Sequence, residues 1–349
     1  MSSTETAVFA LMPPALGDSV SHSELPTVSI VVPTYNRAGV LPYLFQALAE
    51  QTYPAGRIEL IVVDNSSSDE TPAVVQGWRA VLPFPLHFYR KENKGPAASR
   101  NYGASRAIGT IIAFTDSDCI PHVNWLRNAV RGFQNEDVGL VCGPFVLRPR
   151  EGEGAVTGQV EGVTRDTGLY PTANLIVARR TFHLVGGFDE RYGLYPWGGL
   201  VAGEDTDFAW RVKRTGLEAR FLDNVIVGHQ ATRASAQSLL LKPVILQIFP
   251  RLLRTIPELR RTALWHRLFL SKVHMYFYLA CLGIALAIAM GSAFPLLGTV
   301  PWLFSMRHAL RAAGTPARVV GWFFLIHYLV AVSVLVLLVA SVRYRRLVL

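Results

Sequence analysis

Two long stretches without a charged side chain dominate the C-terminal third of this 349-residue chain. Residues 273–306 contain no Asp, Glu, Lys or Arg, and residues 319–342 contain none either. A membrane-spanning helix needs about 20 apolar residues, and helices of soluble proteins rarely stay apolar for so long. We therefore expect two membrane spans, at 273–291 and 319–342. The alternative is a pair of buried helices in a soluble core.

The first stretch is too long for one span and too short for two. Pro295, Gly298 and Pro301 interrupt it, so we expect residues 294–306 to form an interfacial or re-entrant piece. Basic residues flank the two spans on the outside, which by the positive-inside rule places the domain before them in the cytoplasm. Arginines in the connection between the spans weaken this inference. The flanking residues are Arg251, Arg254, Arg260, Arg261, Arg267, Lys272, Arg343, Arg345 and Arg346, and the connecting ones are Arg307, Arg311 and Arg318.

The net charge of +9 is unevenly distributed along the chain. Taken as a whole, it favours a nucleic-acid or acidic partner. However, the first 230 residues carry 20 basic and 24 acidic side chains, whereas the remainder carries 14 basic residues and one acid, Glu258. The positive charge therefore borders the apolar stretches, and we expect membrane lipids rather than nucleic acid as the partner of this region.

The N-terminus and the cysteines point to the same compartment. Residues 1–25 lack a basic segment, so we expect no secretory signal there and predict a flexible arm over residues 1–26. Cys119, Cys142 and Cys281 are few and widely spaced. They predict neither a disulfide framework nor a zinc site, in keeping with a reducing cytoplasm.

Short β-branched segments alternate with helical patterns between residues 27 and 232. The predicted strands are 28–32, 58–63, 86–90 and 110–115, and the helices between them are 40–51, 71–81 and 96–108, the second with Thr71 as its N-cap. This alternation is typical of the α/β class, with a mostly parallel sheet and helices on both faces. Ligands of such sheets bind beyond the carboxyl ends of the strands. Polar clusters follow the first, second and fourth predicted strands.

A basic amphipathic pattern fills residues 233–272, between the α/β region and the predicted spans. Apolar residues recur there at helical spacing, with basic residues among the polar positions. One interpretation is an interfacial helix on an anionic membrane surface. The other is a helix packed against the preceding domain. Pro250 and Pro257 would interrupt either helix.

The most informative local motif is Asp116-Ser117-Asp118, which follows an apolar strand. Two carboxylates at positions i and i+2 of an extended backbone point to the same side. Their oxygens suit Mg²⁺ or Mn²⁺, which in turn hold phosphate oxygens. The alternative is a solvated loop, which a buried strand immediately before the motif makes less favourable.

A second acidic cluster, Glu204-Asp205-Thr206-Asp207, opens a helix that ends at Gly216. Acids in a first helical turn also complement the helix dipole without any further role. A catalytic role requires one of them to face the metal site, where a carboxylate can deprotonate an alcohol.

Two weaker signals complete the set. Asn93, Lys94 and Gly95 open a helix with Arg100 one turn in, and a helix N-terminus with basic side chains favours phosphate. His229 ends an apolar strand. A lone histidine is more often structural than a ligand, although an imidazole would complete an Asp/His metal site.

Taken in order along the chain, these segments resemble family 2 glycosyltransferases of the GT-A fold. The similarity covers about residues 27–230. It rests on the ordered series rather than on any one motif. The matching segments are 28–37 (VSIVVPTYNR), 62–69 (VVDNSSSD), 93–101 (NKGPAASRN), 114–118 (FTDSD), 172–177 (TANLIV), 186–190 (GGFDE) and 203–205 (GED).

The resemblance implies a role for each matching residue. Asp205 would be the general base, and Glu204 would lie beside it at the sugar pocket. A divalent ion, Mg²⁺ or Mn²⁺, would be held by Asp116, Asp118 and His229. The nucleotide would contact Pro33, Thr34, Tyr35, Asn36, Asp64, Asn93, Lys94, Gly95, Arg100, Asp116 and Ser117, and the acceptor and sugar pocket would be bordered by Trp197, Gly198 and Gly199.

The resemblance also implies a reaction. A nucleotide-diphosphate sugar, UDP-linked by default, would transfer its sugar with inversion to a hydroxyl of a membrane-borne acceptor such as a lipid-linked glycan. The Gln-x-x-Arg-Trp motif of processive synthases is absent, which favours transfer of one or a few sugars. Transfer to a polyprenyl phosphate is one alternative, and a non-catalytic membrane scaffold with a nucleotide-binding fold is the other.

Overall fold

The computed structural model describes residues 25–148, 162–192, 203–230, 240, 242–311 and 316–349. The predicted arm at residues 1–26 lies almost entirely outside these ranges. Trp197, Gly198 and Gly199 lie outside them as well.

A seven-stranded, mostly parallel sheet forms the centre of the first domain, with the order β3-β2-β1-β4-β8-β6-β9. Strand β8 runs antiparallel to both of its neighbours, whereas the other pairs are parallel. The predicted α/β class is therefore confirmed. The strands are β1 (Val28–Thr34), β2 (Ile58–Asp64), β3 (Leu86–Arg90), β4 (Ile111–Phe114), β6 (Val138–Cys142), β8 (Leu175–Ala178) and β9 (Glu218–Phe221).

Helices cover both faces of this sheet. Every residue of β1 and β2 is buried, as expected for central parallel strands that are packed on both sides. Two separate apolar clusters form the core on the two faces. The helices of this domain are α1 (Leu41–Ala49), α2 (Thr71–Trp78), α3 (Gly95–Ala104), α4 (Trp125–Arg131), α5 (Arg179–Leu184) and α6 (Glu204–Arg214).

The start of α2 differs from the sequence prediction by one residue. Glu70 is the N-cap, and Thr71 is already helical. The Thr71 hydroxyl is used elsewhere, because it accepts a hydrogen bond at 2.8 Å from the backbone N–H of Arg37. The Thr71 side chain, which the sequence predicts as the cap of its own helix, thus holds the loop that follows β1 instead.

A second, three-stranded sheet lies beside the first. Its strands are β5 (Cys119–Pro121), β7 (Phe145–Arg148) and β10 (Val227–Gln230), with β10 in the centre. Strand β5 follows the Asp-Ser-Asp motif directly. Its antiparallel pairing with β10 sets Cys119 opposite His229. This small sheet therefore joins two segments that are more than a hundred residues apart in sequence.

Much of the apolar side of the amphipathic segment packs against the α/β domain. A 3₁₀ helix (Lys242–Gln247) precedes α7 (Ile248–Thr255) and α8 (Leu259–Thr262). Leu252, Leu253, Ile256 and Leu259 are at most 2% exposed and belong to the core cluster of the main sheet. For α7 and α8 this agrees with the second of the two interpretations of the pattern, because their apolar face is already covered by protein. The proposed interfacial helix would have needed that face for lipid. Val244 and Ile245 of the 3₁₀ helix are 38% and 37% exposed.

Three helices follow: α9 (Lys272–Met290), α10 (Val300–Arg311) and α11 (Pro316–Tyr344), with a 3₁₀ helix at Phe294–Thr299 after α9. By length and composition, two of the described helices could cross a membrane, Lys272–Met290 and Phe323–Tyr344. Only 17% of the most apolar window of each is buried. The 3₁₀ helix turns back against α9, where a Cβ added to Gly283 would lie 2.5 Å from the carbonyl oxygen of Pro295.

The packing of α7 gives a first prediction. Replacement of Leu252 by Ala should lower the free energy of unfolding by about 2–5 kcal/mol, because it opens a cavity in the core of the catalytic domain. Thermal unfolding of the full chain in detergent measures this loss. The control is Leu279→Ala on α9, where the side chain is 42% exposed. Equal, small effects of the two variants would show that α7 is not part of the core.

Candidate active site

The candidate site lies at the carboxyl ends of the parallel strands. Thr34 and Asp64, the last residues of β1 and β2, are paired in register. Both are buried, at 3% and 0% exposure. The backbone N–H of Asn65 donates to the carbonyl of Thr34 at 2.9 Å. The two polar loops that follow these strands therefore leave the sheet side by side.

Hydrogen bonds hold these two loops together. The backbone N–H of Asn36 donates to the Ser67 hydroxyl, and the Asn36 side chain accepts from the N–H of Ser68, both at 2.8 Å. Asn36 has a positive φ of 51°, a conformation that asparagine tolerates better than most residues. Tyr35 beside it is 48% exposed. The loop thus presents an aromatic ring at the rim of the site.

Asp64 is fully occupied by neighbouring groups. Its carboxylate accepts from the Ser67 backbone N–H at 3.1 Å and from the Ser67 hydroxyl. Arg90 Nε lies 3.6 Å from its second oxygen. Pro33, which was assigned to the nucleotide together with Asp64, lies within β1 opposite Val63. The predicted contact of Asp64 with the nucleotide remains a prediction.

Arg100 connects the two acidic motifs. One guanidinium nitrogen lies 2.7 Å from Asp116 Oδ1, and the other lies 3.0 Å from Glu204 Oε1. The Arg100 side chain is only 5% exposed. Because helix α3 supplies Arg100, β4 precedes Asp116 and α6 begins at Glu204, one buried cation ties three elements together. Arg100 itself was expected to lie along the nucleotide.

Asp118 and His229 lie next to each other, as their predicted role as metal ligands requires. His229 Nε2 is 3.2 Å from Asp118 Oδ1, and Arg37 Nη2 is 3.7 Å from Asp118 Oδ2. Burial acts to raise the pKa of Asp118, but the hydrogen bond and charge of His229, with the charge of Arg37, hold it below its usual value. Burial opposes charge on His229, yet Asp118 raises the pKa of the imidazole. Each of the two side chains therefore favours the charged form of the other.

Cys119 completes this cluster geometrically. One potential ligand atom from each of Asp118, Cys119 and His229 lies within 4.8 Å of the others. However, burial raises the pKa of the Cys119 thiol well above its usual value, which disfavours the thiolate that a metal needs. A hard divalent cation also prefers carboxylate oxygen to sulfur. The donors of Asp118 and His229 thus fit Mg²⁺ or Mn²⁺ better than a soft metal, whereas Asp116, the third predicted ligand, is paired with Arg100 at 2.7 Å.

Asp205 is a partly exposed carboxylate with a raised pKa. Burial and the negative charge of Glu204 raise its pKa to about 7, against hydrogen bonds from backbone amides and the charge of Arg100. The backbone N–H of Thr206 donates to Asp205 Oδ1 at 2.7 Å. A carboxylate that titrates near neutral pH can both accept and release a proton, as a general base must.

Glycine is required where the helix that carries Asp205 begins. Gly203 has a φ of +106°. A Cβ at this position would lie 2.9 Å from Cγ1 of Ile248, the first residue of α7. The helix start is therefore in direct contact with the segment that leads to the C-terminal helices.

Asp207, the third acid of this cluster, does not belong to the site. Its carboxylate pairs with Arg211 at 2.8 Å on the same helix. Arg211 also donates to the carbonyl of Gly187 at 2.7 Å. Asp207 therefore fixes a neighbouring loop, and only Glu204 and Asp205 of the acidic cluster are available for chemistry.

Helix α3, whose N-terminus the sequence predicts as a phosphate site, begins at Gly95. Gly95 has a φ of +87°, and its N–H donates to Asn93 Oδ1 at 3.1 Å. Lys94 is exposed, and its Nζ lies 3.5 Å from Glu92 Oε2 in an ion pair that is open to solvent. Ser117 is buried between the two metal-site aspartates. Contacts of these residues with a nucleotide remain predictions.

Sequence reasoning missed two partners in the site, Arg37 and Ser67. Both lie in polar clusters that directly follow a predicted strand, which is the signal that could have identified them. Their partners, Asp118 and Asp64, lie 81 and 3 residues away along the chain. The position of Arg37 follows only from the parallel pairing of β1 with β4.

Comparison with known proteins identifies a family for this arrangement. Residues 29–188 match the family described as glycosyl transferase family 2. The chain is 30% identical over 216 residues to glycosyltransferase AglE of Haloferax volcanii. The aligned region covers 60% of this chain and 68% of that protein. It is 28% identical over 234 residues to the pre-mycofactocin glycosyltransferase of Mycobacterium tuberculosis, covering 61% of this chain and 46% of that protein.

The solved structures agree on the fold. A mannosyltransferase, PcManGT from Pyrobaculum calidifontis in complex with GDP-Man and Mn²⁺, superposes with a TM-score of 0.62. The two sequences are 22% identical, and the superposition covers 95% of this chain and 92% of that one. The fold is thus GT-A, followed by the apolar C-terminal helices.

The bridge formed by Arg100 gives a prediction that needs no substrate. Arg100→Met should lower the free energy of unfolding by about 3–5 kcal/mol, because it leaves the buried Glu204 and the partly exposed Asp116 without their shared cation. Arg79→Met, on the exposed end of α2, is the control. Chemical denaturation measures both. A loss no larger than that of the control would mean that the two acids do not depend on Arg100.

Proposed function

The chain belongs to glycosyl transferase family 2, and we propose that it moves one sugar from a nucleotide-diphosphate sugar to a hydroxyl of a membrane-borne acceptor, with inversion at the anomeric carbon. One observation carries this proposal: Arg100 joins Asp116 of the metal motif to Glu204, the neighbour of Asp205. A cation-binding carboxylate and a base that titrates near neutrality thus belong to one connected site.

The donor nucleotide would bind across the two loops after β1 and β2 and the start of α3. The exposed ring of Tyr35 is available to a base, and the N-terminal dipole of α3, with the exposed Lys94 beside it, favours phosphate. UDP is our default nucleotide. The structural neighbours include PcManGT with GDP-Man and, at a TM-score of 0.50, TarS 1–349 of S. aureus with UDP-GlcNAc. These ligands support a nucleotide sugar as the donor class.

A divalent cation, Mg²⁺ or Mn²⁺, would be held by Asp116, Asp118 and His229. When bound, such an ion neutralises the negative charge that develops on the leaving diphosphate. Without it, His229 and Arg37 already compensate the charge of Asp118.

Asp205 would take the proton of the acceptor hydroxyl as its oxygen attacks the anomeric carbon. The new bond forms between that oxygen and carbon, and the bond between the carbon and the diphosphate oxygen breaks on the opposite side. The Glu204 charge keeps Asp205 basic enough for this step, and Arg100 holds Glu204 in place. A polyprenyl phosphate acceptor would need no such base, so the raised pKa favours an alcohol.

The apolar helices α9 and α11 would anchor the enzyme, with the catalytic domain on the cytoplasmic side. Basic residues lie at the start of α9 and at the end of α11, the two helix ends that meet the catalytic domain, and this supports that orientation. An anchored site acts on substrates near the bilayer, and we infer a lipid-linked glycan as the acceptor. The relative from Mycobacterium tuberculosis matches over less than half its own length, so its acceptor is not transferred to this chain.

Asp205→Asn tests the assignment of the base. The variant should lose about 10²- to 10⁴-fold in turnover, because the amide cannot take a proton, while Mn²⁺-dependent binding of UDP stays unchanged by calorimetry. Asp207→Asn is the matched control, two residues along the same helix and paired with Arg211. Full turnover by Asp205→Asn would instead indicate an acceptor that is already anionic.

The raised pKa of Asp205 predicts a specific pH dependence. Below about 7 its carboxyl group is protonated and cannot act as a base. The kcat/KM should therefore rise tenfold per pH unit below this value and level off above it. In Glu204→Gln the midpoint should move to lower pH, because a charge that raises the pKa is removed. An unchanged midpoint in this variant would contradict the coupling between the two acids.

A further inference from the structure

The last residues of the chain pair with the segment that precedes α9. The backbone N–H of Leu349 donates to the carbonyl of Leu268 at 3.0 Å, and the N–H of Leu270 donates to the carbonyl of Leu349 at 2.7 Å. Val348 is fully buried and belongs to the same core cluster as α7. The start of α9 and the end of α11 therefore meet at one point against the catalytic domain.

Exposed cations surround this junction. None of them forms an ion pair with a carboxylate among the residues that the structure describes. The one acid of residues 231–349, Glu258, is paired with Arg214 at 3.1 Å. Trp265 at the junction is 38% exposed, with the Lys272 ammonium 4.5 Å from its ring. The cations, named here the basic collar, are Arg261, Arg267, Lys272, Arg343, Arg345 and Arg346.

The basic collar has the composition of a headgroup-binding surface. It lies where two lipid-compatible helices begin and end, and an exposed tryptophan at such a level is typical of the membrane interface. Nucleic acid fits less well, because the apolar faces of α9 and α11 border the same cations. Each Lys or Arg near an anionic bilayer strengthens binding roughly fivefold.

We propose that the basic collar binds the phosphate-bearing headgroups of anionic phospholipids. The proposal rests on the membrane anchoring of α9 and α11 proposed above. In this proposal the lipid contact lies at the basic collar and not on α7, because the apolar face of α7 is buried in the catalytic domain. The basic residue Arg251 of α7 is likewise engaged, with its guanidinium 4.1 Å from the ring of Tyr192.

The experiment measures which lipids stay with the full chain. The protein is reconstituted in vesicles of equal parts phosphatidylcholine and phosphatidylglycerol and extracted with a limiting amount of uncharged detergent. Mass spectrometry then gives the ratio of the two retained lipids. Phosphatidylglycerol should be retained in excess at low salt, and the excess should fall as salt is raised. An excess that is absent or insensitive to salt overturns the proposal without any variant.

The matched variants remove three charges each. Arg343→Gln/Arg345→Gln/Arg346→Gln neutralises one half of the basic collar. Arg57→Gln/Arg79→Gln/Arg131→Gln removes the same charge from the α/β domain, directly before β2, directly after α2 and at the end of α4. The collar variant should lose at least about tenfold of the excess, and the control should keep it. Equal retention by both, or equal loss, overturns the proposal.

Two further measurements separate this proposal from the proposed function. Binding of UDP with Mn²⁺ should be unchanged in the collar variant, which verifies its fold independently of lipid. If the triple variant does not fold, Arg261→Gln/Arg267→Gln, which changes neither α9 nor α11, replaces it with the same expected direction. Release of the full chain from vesicles by alkaline carbonate would contradict the anchoring, whereas loss of lipid preference alone would contradict only the collar.

Discussion

The buried guanidinium of Arg100 is the interaction on which the candidate site depends. Without it, the buried Glu204 and the partly exposed Asp116 would bring two negative charges close together, in a region where water screens charge repulsion less than in bulk solvent. Each carboxylate takes a separate nitrogen of the fork, a geometry that lysine cannot reproduce. Helix α3 places the Arg100 side chain between two acidic motifs that are distant in sequence. Their carboxylates can therefore lie close together in the fold.

The rest of the site is arranged around that cation. Strand β5 leaves the Asp-Ser-Asp motif and pairs with β10, which brings His229 to Asp118. Helix α6 starts at the other side, so Glu204 faces Arg100 while Asp205 stays partly exposed. The two acids therefore differ in their pKa: positive neighbours hold the pKa of Asp118 below its usual value, whereas burial and the negative charge of Glu204 raise the pKa of Asp205 to about 7.

The sequence was sufficient for the α/β order and for the aspartates, because strands of β-branched residues and the acids that follow them are local patterns. It was insufficient wherever a partner comes from another element. Arg37 and Asp118 lie close together because β1 pairs with β4. Asp207 does not take part in the site because it pairs with Arg211. The segment around α7 was ambiguous for a physical reason, since an apolar stripe suits lipid and a protein core equally. Which surface covers Leu252 and Leu253 is decided by tertiary packing.

The contact between Gly203 and Ile248 has a consequence for substrate selection. With no side chain at Gly203, the helix that carries Asp205 rests directly on α7, and α7 shares its core cluster with the end of the chain. In the enzyme proposed above, the fold itself would then set the distance between Asp205 and the membrane surface. An acceptor hydroxyl at that distance from the membrane would be within reach of Asp205, and the same hydroxyl one sugar farther out would not.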